Sequence, residues 1–598
     1  MSESTVTLLN NPYGKSSFEE LRLKNRAFVD KSLMIKNLDD DSISDYPVLL
    51  RPRRFGKSTF VRMLKCFYDI SYKDRYEELF SGTRIFDENL PTHNSYHVIN
   101  FDFSAVAGKN EDDLVSSFFT IVTYGIDDFK LRYPDFIFDY SNIKETAPTK
   151  LFVEFAKAYK NYSKRSNLYV MIDEYDNFAN ELLSKNLDLF LAITSQNGFL
   201  KTFYSAIKAV ADVSGCIAKT FITGVSSVSL DSLTSGFNIA SNVTDRACFN
   251  EYAGFTEDEL AILIPQLVDV KKLGVSTEEI ISRMKPVYDG YCFVRKASQT
   301  VYNSSMCLYY LDKVRQEEEF LNPENYLDPA CDQDGSKLEQ IFTHARGADT
   351  QNIIDTYLRG GLFYLERLAE NINLNHLAEY SFEQILSMLY YLGYLTIDPK
   401  ASEEGNLALK IPNRYMERLF SKCIIDFKIR NNTAFTENSL NIEPLLSTED
   451  DLTDFADSCT ELLSGFMSNQ VLLHMNEMAL NLVLYAKLKS LSISGMYVEL
   501  QKSIQVAGEG EKFADLVITV NKGFSDECIY LIELKYITKT ETSGKDNEAK
   551  LQKLIKDATE EVLEYRSALD FKEKKVKSFV MVFAGPDCVY CKLQQLLF

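Results

Sequence analysis

An apolar run, Tyr46 to Leu50, meets Arg51-Pro-Arg-Arg-Phe-Gly-Lys-Ser58, and that octet opens directly into a helical pattern. Phe60, Met63, Leu64, Phe67 and Tyr68 recur at three- and four-residue spacing, so the local order is buried strand, loop, helix. This order constrains the fold more than any other feature, because amides freed at a tight turn and a helix start face an anion together. Gly56 lets backbone approach closely, Lys57 adds a point charge, and Ser58 offers a hydroxyl to Mg²⁺. Arg51 stands where such loops usually begin with glycine, and Pro52 is expected to set the turn in its place. The competing reading is a basic targeting or nucleic-acid patch, which fits poorly between a core strand and an amphipathic helix.

Further strand candidates follow at 96–104, 167–177 and 218–227, with helical stretches at 112–129 and 148–162 between them. Strands alternating with helices imply a mostly parallel, doubly wound α/β sheet. Asp173 closes the strand at 167–173 and Glu174 follows it. A metal-holding aspartate beside a carboxylate that orients water is what NTP hydrolysis requires. In an open sheet of this kind the strand end and the loop lie at the same edge. Thr223 either senses a γ-phosphate or caps its own strand. The expected nucleotide-binding set is therefore Pro52, Arg53, Arg54, Phe55, Gly56, Lys57, Ser58, Thr59, Asp173 and Thr223, with Ser58 and Asp173 on the metal and Glu174 catalytic.

From about residue 255 the texture turns helical. Thr256, three residues before Glu259, signals a helix start, and 288–293 interrupts the pattern like a turn. Residues 335–490 read as mostly helical, with the acidic stretch 442–458 as a solvated helix face and a domain boundary. Strand patterns return at 496–506, 513–520 and 528–537, followed by a helix over 547–567 and a strand at 576–585. In this second α/β unit Asp515 opens one strand, while Glu533 and Lys535 lie two apart on the next and share a face. Two acids and a lysine suffice for Mg²⁺-assisted phosphodiester cleavage: Asp515 and Glu533 hold the metal and Lys535 positions water. An edge strand whose Glu and Lys face water remains the alternative. Glu477 and Glu499 are candidate additional ligands.

The length of 598 residues implies three or four domains. The boundaries read as 1–254 for the loop-bearing domain, 255–330 for a helical lid, 331–475 for a helical linker and 476–598 for the second α/β unit. A net charge of −21 argues against a chain that coats nucleic acid non-specifically, though not against a local basic cleft. No apolar run reaches membrane-spanning length and no secretory signal opens the chain, so a cytoplasmic location is expected. The 11 cysteines are then reduced core residues, and Cys588-x-x-Cys591, with no second pair, reads as strand-end residues.

Taken together, the segments 16–32, 51–58, 171–176, 222–227, 254–260, 288–293 and 513–536 resemble a family of two-module microbial proteins. In that family an AAA-like ATPase module precedes a PD-(D/E)XK nuclease-superfamily module. The resemblance covers roughly the first 300 residues and the last 100. It implies a P-loop NTPase fold with a helical lid, a helical middle region and a restriction-endonuclease-like C-terminal domain. Family loops carry the same Arg-Pro-Arg-Arg-Phe-Gly-Lys-Ser, which makes Arg51 a family trait. Two departures stand out: Lys512 where a glycine-arginine pair is usual before the first nuclease aspartate, and Glu561-Val562 where Gln-Ile is usual on the following helix. The implied function is ATP binding and hydrolysis coupled to Mg²⁺- or Mn²⁺-dependent cleavage of nucleic acid, DNA rather than RNA, in defence or mobile-element biology. Homo-oligomers are compatible with it. The alternative is a nucleotide-dependent switch or scaffold whose nuclease-like domain binds without cutting.

Overall fold

The computed structural model describes residues 8–594 apart from 164–166, 179–181, 183–188, 190–192, 194–197, 227–238, 322, 324–325, 329–336, 343–344, 346, 359–361, 370–380, 404, 421–422, 424–439, 467–476, 491–495, 507–509, 522–525, 538–546, 567, 569–570 and 572–573. Ser227 and parts of the helical reading of 335–490 lie outside the described residues. The chain divides into two compact units, one of Met1–Arg346 with Phe363–Glu417, the other of Gly347–Leu362 with Arg418–Phe598.

Five strands form the sheet of the first unit: β1 (Pro47–Leu50), β2 (His97–Asp102), β3 (Leu168–Asp173), β4 (Ile217–Gly224) and β5 (Ser241–Asn242). They lie in the order β2-β3-β4-β1-β5, and every neighbouring pair is parallel. Parallel strands covered on both faces need apolar side chains on both, which is why β1 and β3 are buried at every position and read as unbroken apolar runs. Helix α1 (Phe18–Leu23) packs on α2 (Lys57–Tyr68), and α2 packs on β2 and β3. Helix α3 (Glu111–Arg132) lies on β2, with α4 (Pro148–Ser163) and α5 (Phe199–Ala209) beyond it. Gly125 makes the approach of α3 possible: a Cβ there would sit 2.6 Å from the Phe101 ring and 2.8 Å from the Asn100 carbonyl. Strand β3 ends at Asp173, as expected, and β4 stops at Gly224, short of the expected end at 227.

Helices α6 (Glu257–Leu267), α7 (Thr277–Tyr288) and α8 (Ser304–Glu317) continue the same unit. The predicted start of α6 is a capping box, with Thr256 Oγ accepting from Glu259 N and Glu259 accepting from Thr256 N. Within the region expected to be helical, α9 (Phe382–Tyr391) is joined by a small antiparallel sheet. Its strands are β6 (Phe363–Leu365), β7 (Thr396–Ile397) and β8 (Leu407–Lys410), in the order β6-β8-β7. Strands of two to four residues are too short to register as an alternating pattern, so the sequence did not reveal them.

The turn after α7 depends on Gly290, which has φ +97° and whose hypothetical Cβ lies 1.9 Å from the Pro412 carbonyl oxygen. Gly290→Ala is expected to destabilise this unit by about 2–5 kcal/mol, the sum of left-handed backbone strain and overpacking. The denaturation midpoint of the variant measures it.

The second unit carries a five-stranded mixed sheet: β9 (Tyr497–Val506), β10 (Gly510–Val520), β11 (Cys528–Ile537), β12 (Val576–Ala584) and β13 (Asp587–Gln594). Strands β9, β10 and β11 are successively antiparallel, β11 and β12 are parallel, and β13 returns antiparallel to β12. The parallel pair needs a crossover, supplied by α12 (Asn547–Arg566), which follows α10 (Thr453–Phe466) and α11 (Glu477–Ser490) in the chain. Ala558, Val562 and Tyr565 of α12 bury against Leu531, Val580 and Val582. Val562, at one of the two departures from the family pattern, is therefore a core residue. All ten described cysteines are free thiols. Cys588 and Cys591 sit half-buried on β13, their sulfurs near the carbonyls of Tyr590 and Leu452. Among the described residues no helix is long and apolar enough to cross a membrane.

Candidate functional site

The octet after β1 forms a loop whose carbonyls are engaged with the rest of the unit. Pro52 O accepts from Lys57 Nζ at 3.1 Å, and Arg54 O accepts from Ser305 N at 3.2 Å and Ser304 Oγ at 3.1 Å. Phe55 O accepts from Gly254 N at 2.7 Å. Arg54 and Gly56 hold positive φ, +69° and +92°, which lets the chain reverse within the loop. Gly56 then stands at the cap of α2 and, having no side chain, offers no side-chain cap to the first-turn amides of that helix. An uncapped helix start at the carboxyl edge of a parallel sheet is an anion site.

Arg54, Phe55, Gly56, Lys57, Ser58 and Thr59 border a cleft of about 290 Å³. Its other walls come from segments to which the sequence assigned no site residues: Tyr13 to Ser16, Ala27 to Val29, Tyr252 to Phe255, and Ser304 and Leu308 of α8. Lys31, also on the wall, is buried and bonds Glu259 Oε2 at 2.6 Å, tying the N-terminal segment to the cap of α6. Lys31 and Glu259 both lie in segments that carry the family resemblance, but their pairing is invisible until the fold brings positions 228 residues apart together.

Pro52 and Arg53 line a smaller cavity with Val225 and Gly393, which Arg54 and Phe55 also border. Pro52 packs so closely on Gly393 that a Cβ there would come within 2.8 Å of its own. Arg51 faces away from the cleft. Its guanidinium donates to the carbonyls of Leu50 (2.7 Å), Thr244 (3.1 Å) and Phe249 (2.6 Å) and lies over the Phe293 ring at 4.3 Å. The arginine is thus a buried strut that pins the chain after β5 to the root of the loop. Arg51→Gly is expected to cost more than about 3 kcal/mol of stability, because three buried carbonyls lose a charged donor. Chemical denaturation reads the loss.

At the end of β3, Asp173 is 2 % exposed and its Oδ1 has no partner. Burial and the neighbouring Glu174 charge push its carboxyl up to about 7, against the lowering effect of the Ser58 hydroxyl beside it. Glu174 has φ +53°, a strained conformation for a glutamate, fixed by the bonds from Tyr175 N to Thr223 O and from Asn177 N to Glu174 O. That turn aims the Glu174 carboxylate into the cleft, 3.3 Å from Lys57 Nζ. The third acid of the run, Asp176, is fully buried and accepts from the amides of Val225 and Ser226, so it braces the chain after β4. Thr223, whose expected roles were sensor or cap, donates to Leu49 O at 2.7 Å inside the sheet. An unpartnered carboxylate oxygen beside the Ser58 hydroxyl fits a divalent cation, which would be held by Ser58 and Asp173.

In the second unit Asp515, Glu533 and Lys535 come together. Asp515 and Glu533 are 5 % and 3 % exposed, and their carboxyls lie against one another. Asp515 accepts from Asn481 Nδ2 at 2.8 Å and from Leu534 N at 2.9 Å. Glu533 Oε1 accepts from Lys535 Nζ at 2.7 Å, and Glu533 Oε2 has no partner. Burial raises both carboxyls, Glu533 further through the charge of Asp515. Burial alone would lower the Lys535 ammonium, but Glu533, Glu477 and Asp515 together hold it above its ordinary range. Glu477 and Glu561 complete its shell at 3.4 and 3.1 Å. Glu499, the other suggested ligand, pairs instead with Lys502 at 2.8 Å, and Lys512 pairs with Glu564 on α12. Asn481 was missed by sequence reasoning, although it lies one turn after Glu477 on α11 and so on the same face. Among the described residues no three acidic, His or Cys side chains converge as a metal-ligand set. Two carboxylates with an orphaned oxygen suit a hard cation that draws its remaining ligands from phosphate and water.

Residues 12–234 match the model of a family described as predicted AAA-ATPase. The match contains the loop and β1 to β4, and it ends before the second unit. This N-terminal part is accordingly similar to AAA-ATPase domains, a likeness that supports ATP binding and hydrolysis. Among solved structures, a Walker-type ATPase of Pyrococcus abyssi is similar with a TM-score of 0.35 and 12% identity, over 66% of this chain and 95% of that one. No curated protein matches.

Proposed function

We propose that the protein hydrolyses ATP in its first unit and that its second unit is a divalent-metal-dependent nuclease of the PD-(D/E)XK type, acting on DNA. The observation that carries the nuclease reading is the buried Asp515–Glu533 pair with an unpartnered oxygen beside Lys535. Gathering two acids and a lysine out of water opposes folding, and a ligand for them is the natural compensation. Three antiparallel strands followed by a crossover helix and a parallel strand support the same reading.

In the first unit the free amides of the loop and Lys57 would bind the phosphates, Ser58 and Asp173 would hold Mg²⁺, and Glu174 would orient the attacking water. In the second, Asp515 and Glu533 would hold Mg²⁺ or Mn²⁺. When bound, such a cation polarises the phosphodiester and acidifies water. Lys535 would keep that water in line, with Asn481 and the Leu534 amide fixing the Asp515 carboxylate.

The test is cleavage of single- and double-stranded DNA and RNA with Mg²⁺ or Mn²⁺, with and without ATP. Metal-dependent DNA cleavage lost in Glu533→Ala is the expected result. Cleavage retained in both Glu533→Ala and Lys535→Ala would overturn the site. A nuclease-like unit that binds DNA without cutting it would replace the enzyme reading with a nucleotide-dependent scaffold.

A further inference from the structure

We propose that Arg53 is a catalytic residue of the ATPase site, supplying positive charge to the terminal phosphate of bound ATP as the bond to it breaks. The proposal rests on the ATPase reading above. Arg53 sits three residues before Gly56 on the loop, directly before Arg54 and Phe55, which border the cleft. Its Nη2 donates to Asn177 Oδ1. Asn177 belongs to the turn that bends Glu174 into the cleft, since its own amide donates to Glu174 O at 3.1 Å. The Asn177 side-chain orientation is settled independently, because Nδ2 donates to Ser104 O at 3.0 Å just beyond β2.

Charge distinguishes Arg53 from its neighbours. Lys57 is matched by Glu174 at 3.3 Å, and Arg51 is buried against three carbonyls. Among the described residues Arg53 has no carboxylate partner, only a neutral amide. A guanidinium bonded to an amide exchanges it readily for a phosphate oxygen, since charge-assisted, two-pronged bonds are about twice as strong. The bond to Asn177 holds Arg53 beside the turn that follows β3 and carries Glu174, and on the ATPase reading the terminal phosphate would lie at that strand end.

In the step itself, the water oxygen bonds to the γ-phosphorus while the bond to the β,γ-bridging oxygen breaks. The electron pair leaves on ADP, and the proton of the water passes by way of Glu174 to the products, ADP and inorganic phosphate. Negative charge grows on the γ-oxygens and the bridging oxygen during that exchange. An arginine in reach is worth roughly 10³–10⁵ in kcat. Because ADP lacks the group Arg53 serves, its affinity should not depend on Arg53.

The full-length protein tests this with Arg53→Ala and Arg53→Lys, read by ATP turnover, by ADP binding, and by rescue with free guanidinium. Expected for Arg53→Ala are a kcat loss of about 10³-fold, ADP affinity within about twofold of wild type, and partial rescue by guanidinium. Arg53→Lys retains the charge without the fork, and an intermediate kcat with unchanged melting temperature is expected. Wild-type turnover in Arg53→Ala, or an equal loss of ADP and ATP affinity in both variants, overturns the proposal while leaving the ATPase reading standing. Failure of the wild-type protein to bind ADP or ATP at all overturns the ATPase reading itself.

Discussion

Glu174→Gln is expected to lower ATP turnover by about 10²–10⁴-fold, the usual worth of a positioned base, while nucleotide affinity is kept or rises. The carboxylate is held in the cleft by a strained backbone and lies 3.3 Å from Lys57, so an amide of the same shape preserves the fold but cannot accept the water's proton. The exchange also removes a negative charge facing the phosphates, which favours binding. Single-turnover hydrolysis together with equilibrium binding of ATP separates the two effects. Lys57→Ala should behave differently, because it removes a cation from the loop and loses affinity first. Equal losses of affinity in both variants would place Glu174 in ground-state binding and sink its assignment as the water-orienting group.

Lys535→Ala is expected to abolish DNA cleavage and, in EDTA, to destabilise the second unit by about 3–5 kcal/mol. Lys535 is the cation shared by Glu533, Glu477 and Glu561, and its removal leaves the buried Glu533 and Asp515 with no counter-charge. Divalent cation should restore part of that loss, by about 2.7 kcal/mol at one hundred times its dissociation constant. Thermal melting with EDTA and then with Mg²⁺ or Mn²⁺ reads both numbers. Melting of Lys535→Ala that is insensitive to divalent ions would argue that Asp515 and Glu533 do not bind metal. Glu533→Gln offers the reverse signature: cleavage is lost, yet the metal-free protein gains stability because one buried acid has become neutral.

Much of the first site was legible because its chemistry is local. Gly56, Lys57 and Ser58 sit in eight consecutive residues between a buried strand and a helix, and Asp173-Glu174 ends an unbroken apolar run. The capping box of Thr256 and Glu259 was readable for the same reason, four residues deciding it. Asp515, Glu533 and Lys535 could be named from spacing on two adjacent strands, whose side chains alternate by a fixed period. Arg51, by contrast, was open to misreading. One-dimensional spacing puts it in the phosphate loop, whereas its partners lie near residues 244–249, on a stretch the chain reaches only after β5.

What the sequence determined by itself is the order of elements and the positions of most of the candidate site residues, since these follow from hydrophobic period and from short runs of backbone geometry. Only the tertiary structure decided which groups face the cleft and which brace it. Asp173, Glu174 and Asp176 are near neighbours in one acidic run, yet burial and a single positive φ send one to Ser58, one into the cleft and one to the amides after β4. The short strands β6 to β8, the Lys31–Glu259 tie and the Asn481–Asp515 bond share that dependence. Each joins positions far apart in the chain, and such contacts form only when a packed core has already met the entropy of closing the intervening loops.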